Sequence, residues 1–269
     1  MKIGYYQFRP IFGKINHNLK KVINKLSTVS ADLIVLPELI FTGYYFQDRT
    51  EVKTLAEDPH HSATVDNLSK LCKEKKFHIV TGFAEKVKDK VFNSALLIGP
   101  KGIKHIYRKI HLFNEEINWF DEGDIPLQVN KVNNTRVGIM VCFDWAFPEV
   151  TRVLALQGAD IICHPSNLVL DYCQQTMLTR CLENKVYAIT TNRFGYDRRP
   201  HGNLRFTGRS QIVAPGGTLI HQARSQGEEL YIMDIDPELA RDKSITPLND
   251  VLCDRRPKFY KSLVFEKRK

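Results

Sequence analysis

Cys142 stands in Val141-Cys142-Phe143-Asp144-Trp145-Ala146-Phe147-Pro148-Glu149, after the apolar run 137–141 and before Pro148-Glu149-Val150. The apolar run reads as a buried strand, and the Pro-Glu start reads as the first turn of a helix. A thiol at a strand-to-helix junction has backbone N–H groups nearby, which suits a nucleophile. By itself a cysteine is more commonly a small buried hydrophobe, so its partners decide the matter. Two further strand ends carry charged side chains: Glu38 after Leu33-Ile34-Val35-Leu36-Pro37, and Lys109 after Ile106-Tyr107-Arg108. Side chains just beyond strand ends converge on ligands in open α/β sheets. The three lie far apart in sequence, so only tertiary folding can assemble them. If it does, they offer a thiol beside a carboxylate and an ammonium, the group types of covalent catalysis.

The elements that must position them alternate from the first residue. Residues 2–8 read as a strand, 16–29 as a helix with Leu19, Val22, Ile23 and Leu26 on one face, and 31–36 as a buried strand ended by Pro37. A second helix over 62–75 carries Val65, Leu68, Leu71 and Cys72, and a strand follows over 77–84. Residues 91–98 and 103–108 flank Gly99-Pro100-Lys101-Gly102, a hairpin turn. The second half repeats the style, with strands at 135–141, 160–164 and 186–191, helices at 148–157 and 174–185, a hairpin over 210–221 and a late strand at 229–235. No Pro-, Gly- or Ser-rich linker interrupts the chain. One α/β domain spanning 1–269 is expected, with mixed sheets, because crossover units and hairpins both occur.

Composition bounds the remaining classes. The chain has 269 residues, 43% of them hydrophobic, enough for a well-buried core. Its net charge of +9 comes partly from terminal and surface lysines. No nucleic-acid-binding signature accompanies the charge, so a solvated surface is the reading and no nucleic acid is expected. No apolar stretch approaches the ~18 residues of a membrane helix, and the first residues read as a strand rather than a signal peptide. Six cysteines, at 72, 142, 163, 173, 181 and 253, form neither a Cys-x-x-Cys pair nor a disulfide framework. A reducing cytoplasm is the expected compartment.

Three segments carry a resemblance. Leu36-Pro37-Glu38-Leu39 with Thr42-Gly43-Tyr44, then Tyr107-Arg108-Lys109-Ile110-His111-Leu112-Phe113, then Val141-Cys142-Phe143-Asp144 with Phe147-Pro148-Glu149 resemble the three signatures of the nitrilase superfamily of carbon–nitrogen hydrolases. Lesser matches run from Asn93-Ser94-Ala95 through His164-Pro165-Ser166-Asn167 to Gly208-Arg209-Ser210. The flavour is that of short stand-alone members. The resemblance implies a four-layer α-β-β-α sandwich and a homodimer or larger assembly, with the tail over about 247–269 at the subunit interface. It implies a Glu38, Lys109, Cys142 triad with a second carboxylate, assigned to Glu116, although Glu115 is adjacent. No metal or cofactor is implied. The family turn before Gly123 usually carries Pro, where this chain has Glu122.

The chemistry explains the group types. Thiolate attack splits hydrolysis of a poor electrophile into two easier steps through a thioester or thioimidate. A free cysteine has a pKa of ~8.5, so a neighbour must favour the thiolate or take the proton during attack. Glu38 is the expected base. Lys109 and the Phe143 N–H are the expected donors to the anionic intermediate, each worth ~3–4 kcal/mol of barrier. Glu116 would hold Lys109 or the leaving nitrogen. Tyr44, Phe143, Trp145 and Asn167 are candidates for the substrate wall. His111, Asp144 and Glu149 read as structural. An arginine soon after the cysteine would suit a substrate carboxylate beside the scissile group, but Asp144, Trp145 and Ala146 stand there; Arg180, Arg193 and Arg205 remain as more distant anion anchors. The favoured reaction is hydrolysis of a small linear amide in the manner of an ω-amidase. Small aliphatic nitriles and dinitriles, or N-carbamoyl amines, are the alternatives.

Overall fold

The computed structural model describes residues 1–265; the last four residues of the expected interface tail lie outside that range. Two six-stranded sheets make up its centre. In the first, Lys2–Gln7, Leu33–Val35 and His78–Val87 run parallel, flanked by antiparallel Glu229–Asp234 on one side and Lys90–Gly99 and Gly102–Arg108 on the other. The second repeats the plan. Thr135–Ile139, Ile161–Ser166 and Tyr187–Asn192 are parallel, with Val129–Val132 antiparallel at one edge and Gln211–Val213 and Leu219–Gln222 at the other.

Alternation along the strands builds the layers. Ile3, Tyr5, Leu33, Val35 and Val80 share one core with Val137, Ile139, Ile161, Cys163 and Ile189 of the other sheet. Their neighbours Tyr6, Phe8, Ile34, Leu36 and Ile79 point the opposite way, onto Leu19, Val22 and Leu26 of the helix Ile15–Leu26 and Val65, Leu68 and Leu71 of the helix Ala63–Lys75. The helices Pro148–Leu156 and Cys173–Asn184 cover the second sheet through Val150, Leu154, Met177 and Cys181. The result is the expected α-β-β-α sandwich.

Several elements escape the sequence reading. The helix Arg49–Leu55 has one buried apolar residue, Val52, too little for a periodic signal, although Asp48 caps it by accepting from the Glu51 N–H at 2.9 Å. Val129–Val132 is a short edge strand, and Phe194–Arg199 pairs with Gly202–Thr207 in a separate charged ribbon. The strand expected over 160–164 is Ile161–Ser166, carrying His164 and Ser166 into the core. Among the described residues no helix is long and apolar enough to cross a membrane.

Candidate active site

The ends of three strands meet at one point. Beyond Leu33–Val35, the Leu36 N–H still donates to Val80 at 2.8 Å, and Leu39 then turns the chain with φ +46°. Gly82 makes room for that turn, since a Cβ there would lie 2.3 Å from the Glu38 Cα. Beyond Gly102–Arg108, the Lys109 N–H donates to Asn93 at 2.9 Å and its carbonyl accepts from Gly123 at 3.0 Å. A Cβ at Gly123 would lie 2.2 Å from the Arg108 oxygen, so the turn at 123 requires glycine. Arg108 anchors the strand end by pairing with Glu85 and Asp124 at 2.7 Å each, with Phe92 under its guanidinium.

Cys142 opens a single 3₁₀ turn, Cys142–Ala146, with φ +41°. A non-glycine residue held there costs about 1–3 kcal/mol, and surrounding contacts must enforce it. Asp144 supplies one set. Its carboxylate accepts from the Val141 N–H at 2.8 Å, the Tyr107 hydroxyl at 2.6 Å and His111 at 2.8 Å, and His111 stacks on Phe147.

Glu38, Lys109 and Glu116 form a fully buried cluster. Lys109 Nζ donates to Glu38 Oε1 at 2.9 Å and lies 2.8 Å from each oxygen of Glu116. Glu116 also accepts from the Tyr44 hydroxyl at 2.7 Å and the Phe113 N–H at 3.1 Å, so both its oxygens are occupied. Glu38 Oε1 takes a second bond, from Asn93 at 2.7 Å, whereas Glu38 Oε2 is buried with no partner among the described residues. Glu115 is exposed and faces away from this cluster.

The electrostatics follow from burial. Desolvation by itself would strip the proton from Lys109, but Glu116 and Glu38 outweigh it and the ammonium is held firmly. Burial raises the Glu38 carboxyl, with Lys109 opposing and Glu116 adding to the rise. The Cys142 thiol is pushed well up by burial and then by Glu38, against Lys109 and the Asn167 N–H. A shift in that direction favours the neutral thiol over the thiolate.

A small cavity opens on Cys142, lined by Phe113, Phe143, Trp145, Asn167, Leu168 and Leu170 among others, with about 250 Å³ of empty space including its mouth. Tyr172 stacks edge-on against Trp145. Among the described residues no charged side chain lines it; Glu38, Lys109 and Glu116 lie close enough to Cys142 to act on its charge. Roomier surface grooves, such as that between Arg152, Glu183 and Tyr260, do not include Cys142.

Phe143, Trp145 and Asn167 therefore lie on the cavity wall, and the Asn167 amide also clasps the Glu38 carbonyl at 2.9 Å. Tyr44 is buried with its hydroxyl on Glu116 and near enough to Cys142 to couple with it electrostatically, but it is not among the residues lining this cavity. The expected distant anchors do not reach the cavity: Arg180 pairs with Glu183, Arg193 is buried against Asp197, and Arg205 is exposed. Sequence reasoning assigned no role to Asn93, or to Asp197, which accepts from the Tyr44 and Tyr45 N–H groups. A polar residue inside the apolar run 91–98 was the available signal for Asn93. Among the described residues no group of three or more His, Cys, Asp or Glu could hold a metal.

The comparisons agree with this architecture. A carbon–nitrogen hydrolase family model matches residues 2–243. A Pyrococcus abyssi protein named nitrilase is 41% identical over 97% of this chain and 99% of its own length. An (R)-stereoselective amidase of a Pseudomonas species is 31% identical over 95% of this chain and 92% of its own. The solved carbon–nitrogen hydrolase of Helicobacter pylori G27 superposes with a TM-score of 0.90 at 25% identity, covering 99% of this chain and 98% of that one. With the family model, the coverage of the relatives and the fold in agreement, the chain belongs to the nitrilase superfamily of carbon–nitrogen hydrolases.

Proposed function

We propose that the chain hydrolyses small, uncharged linear amides through a Cys142 thioester, releasing ammonia and a carboxylate. One observation carries the division of labour: Glu38 keeps one oxygen free of donors while Glu116 has both occupied. A base needs a vacant lone pair, and a carboxylate saturated with donors is a poor one. Glu38 Oε2 takes the Cys142 proton as Sγ attacks the amide carbon. The oxyanion meets Lys109 Nζ and the Phe143 N–H. Collapse breaks the C–N bond, and the proton passes from Glu38 to the departing nitrogen. Water then attacks the thioester, giving one proton to Glu38 and restoring the thiol. Glu116 holds Lys109 in place and takes no proton.

The uncharged lining supports the substrate class. A distal carboxylate, as in an ω-amide of a dicarboxylic acid, needs a cation at the far wall, and a distal ammonium needs an anion. Among the described residues neither lines the cavity, which favours neutral acyl groups over the ω-amidase type. Nitriles are the second reading, favoured by the name of the Pyrococcus relative. Self-association belongs to the same proposal: Leu248, Leu263, Val264 and Phe265 of the tail are 62–90% exposed, more apolar surface than a monomer usually leaves in one segment.

An ammonia-release panel tests this. Neutral short amides should turn over faster than ω-amides of dicarboxylic acids and than carbamoyl diamines, and Cys142→Ala should abolish all activity. Activity surviving in Cys142→Ala refutes the mechanism, and a preference for charged amides refutes the substrate class.

A further inference from the structure

The mechanism uses the Phe143 N–H but leaves unexplained what aims it. The peptide linking Cys142 to Phe143 is trans, so its C=O and N–H point in opposite directions. The Cys142 carbonyl is held at 2.9 Å by Nε2 of His164, a fully buried residue of the strand Ile161–Ser166. A carbonyl only accepts, so Nε2 carries the proton. The other nitrogen, Nδ1, faces the Thr190 hydroxyl at 3.1 Å and accepts from it. Burial depresses the imidazole to about 4, which keeps the ring neutral and this tautomer in place. On the opposite side of the same peptide, the Phe143 N–H donates to no protein group among the described residues, although Phe143 lines the cavity.

We propose that His164 is a positioning residue for the oxyanion site: by bonding the Cys142 carbonyl it locks the strained peptide so that the Phe143 N–H faces the reacting carbon. The bond also polarises the peptide, since a hydrogen bond to a C=O strengthens donation by the N–H of the same unit. Thr190 supports the arrangement by fixing the ring. The inference rests on the Cys142 mechanism proposed above.

Alkylation separates this role from simple support of the fold. Iodoacetamide attacks the sulfur by displacement and forms no oxyanion, whereas amide hydrolysis forms one. His164→Phe, checked for its far-ultraviolet spectrum, should lose about 100-fold in kcat, the lower end of the loss for one oxyanion donor, with KM little changed. Its alkylation at Cys142 should stay within about three-fold of the parent. His164→Gln, whose amide reaches the same carbonyl, should recover at least ten-fold of the loss. If His164→Phe does not fold, Thr190→Val carries the test, with hydrolysis falling more than alkylation. Parallel loss of hydrolysis and alkylation, or unchanged kcat, overturns the proposal. Failure of the underlying mechanism looks different: the parent enzyme, alkylated at Cys142, would still hydrolyse amides.

Discussion

Replacing Glu116 by Gln should damage both stability and turnover, while the same change at its neighbour Glu115 should do neither. Glu116 accepts from Lys109, Tyr44 and Phe113 with no water contact. Glutamine has one oxygen to offer, so its NH₂ must face donors on the other side. The charge is lost as well. Unit charges 2.8 Å apart attract by about 6 kcal/mol at an effective dielectric of about 20. Removing one partner of a buried pair costs a net of about 3–5 kcal/mol. For a chain of this size that lowers Tm by roughly 10 °C. Lys109, no longer held on that side, donates poorly to the intermediate, and kcat should fall about 10²–10³-fold. Glu115 is exposed, and Glu115→Gln should stay within about 0.5 kcal/mol. Calorimetry and steady-state ammonia release on both variants check this. Equal effects from the two substitutions, or an unchanged Tm and kcat in Glu116→Gln, would refute the reasoning.

Other outcomes follow from the same geometry. Burial raises the Glu38 carboxyl above its ordinary 4.5, and the base must be ionised to act. The acid limb of kcat/KM should therefore lie above pH 4.5, and should move down in Glu116→Gln because Glu116 contributes to the rise. His164 is depressed from 6.5 to about 4. A group lowered on folding contributes stability that is complete above 6.5 and lost as pH falls toward 4, here about 3 kcal/mol. Urea unfolding from pH 7 to 4 should lose that amount more in the parent than in His164→Gln. Asp197→Asn leaves the buried Arg193 guanidinium without its counter-charge and loosens Tyr44, so Tm should fall with an accompanying drop in kcat. An unchanged kcat there would show that the Tyr44 loop holds without Asp197. Ending the chain at residue 244 removes Leu248 and the apolar segment 259–265; sedimentation should show a smaller species, and an unaltered one would exclude the tail as the contact.

Sequence alone determined the layers and the ingredients. Buried parallel strands write themselves as short apolar runs, and the outer helices as stripes such as Leu19, Val22 and Leu26, because burial of one face is the physical requirement. The segments around Glu38, Lys109 and Cys142 are legible because turns beyond strand ends tolerate few residue types, as Gly82 and Gly123 show by the backbone pressed against them. Local pattern could not say which of two adjacent carboxylates reaches Lys109; only the resemblance pointed to Glu116. The helix Glu116–Trp119 has a single turn, too short for periodicity to set its phase, and the packing of Trp119 and Phe120 against Tyr44 and Phe46 orients it. Nor could any local pattern show that Glu38 retains a free oxygen while Glu116 has none, or that His164 grips the carbonyl of Cys142 from another strand. Hydrogen-bond saturation and peptide orientation depend on donors brought together from distant segments, so only the tertiary structure decided them.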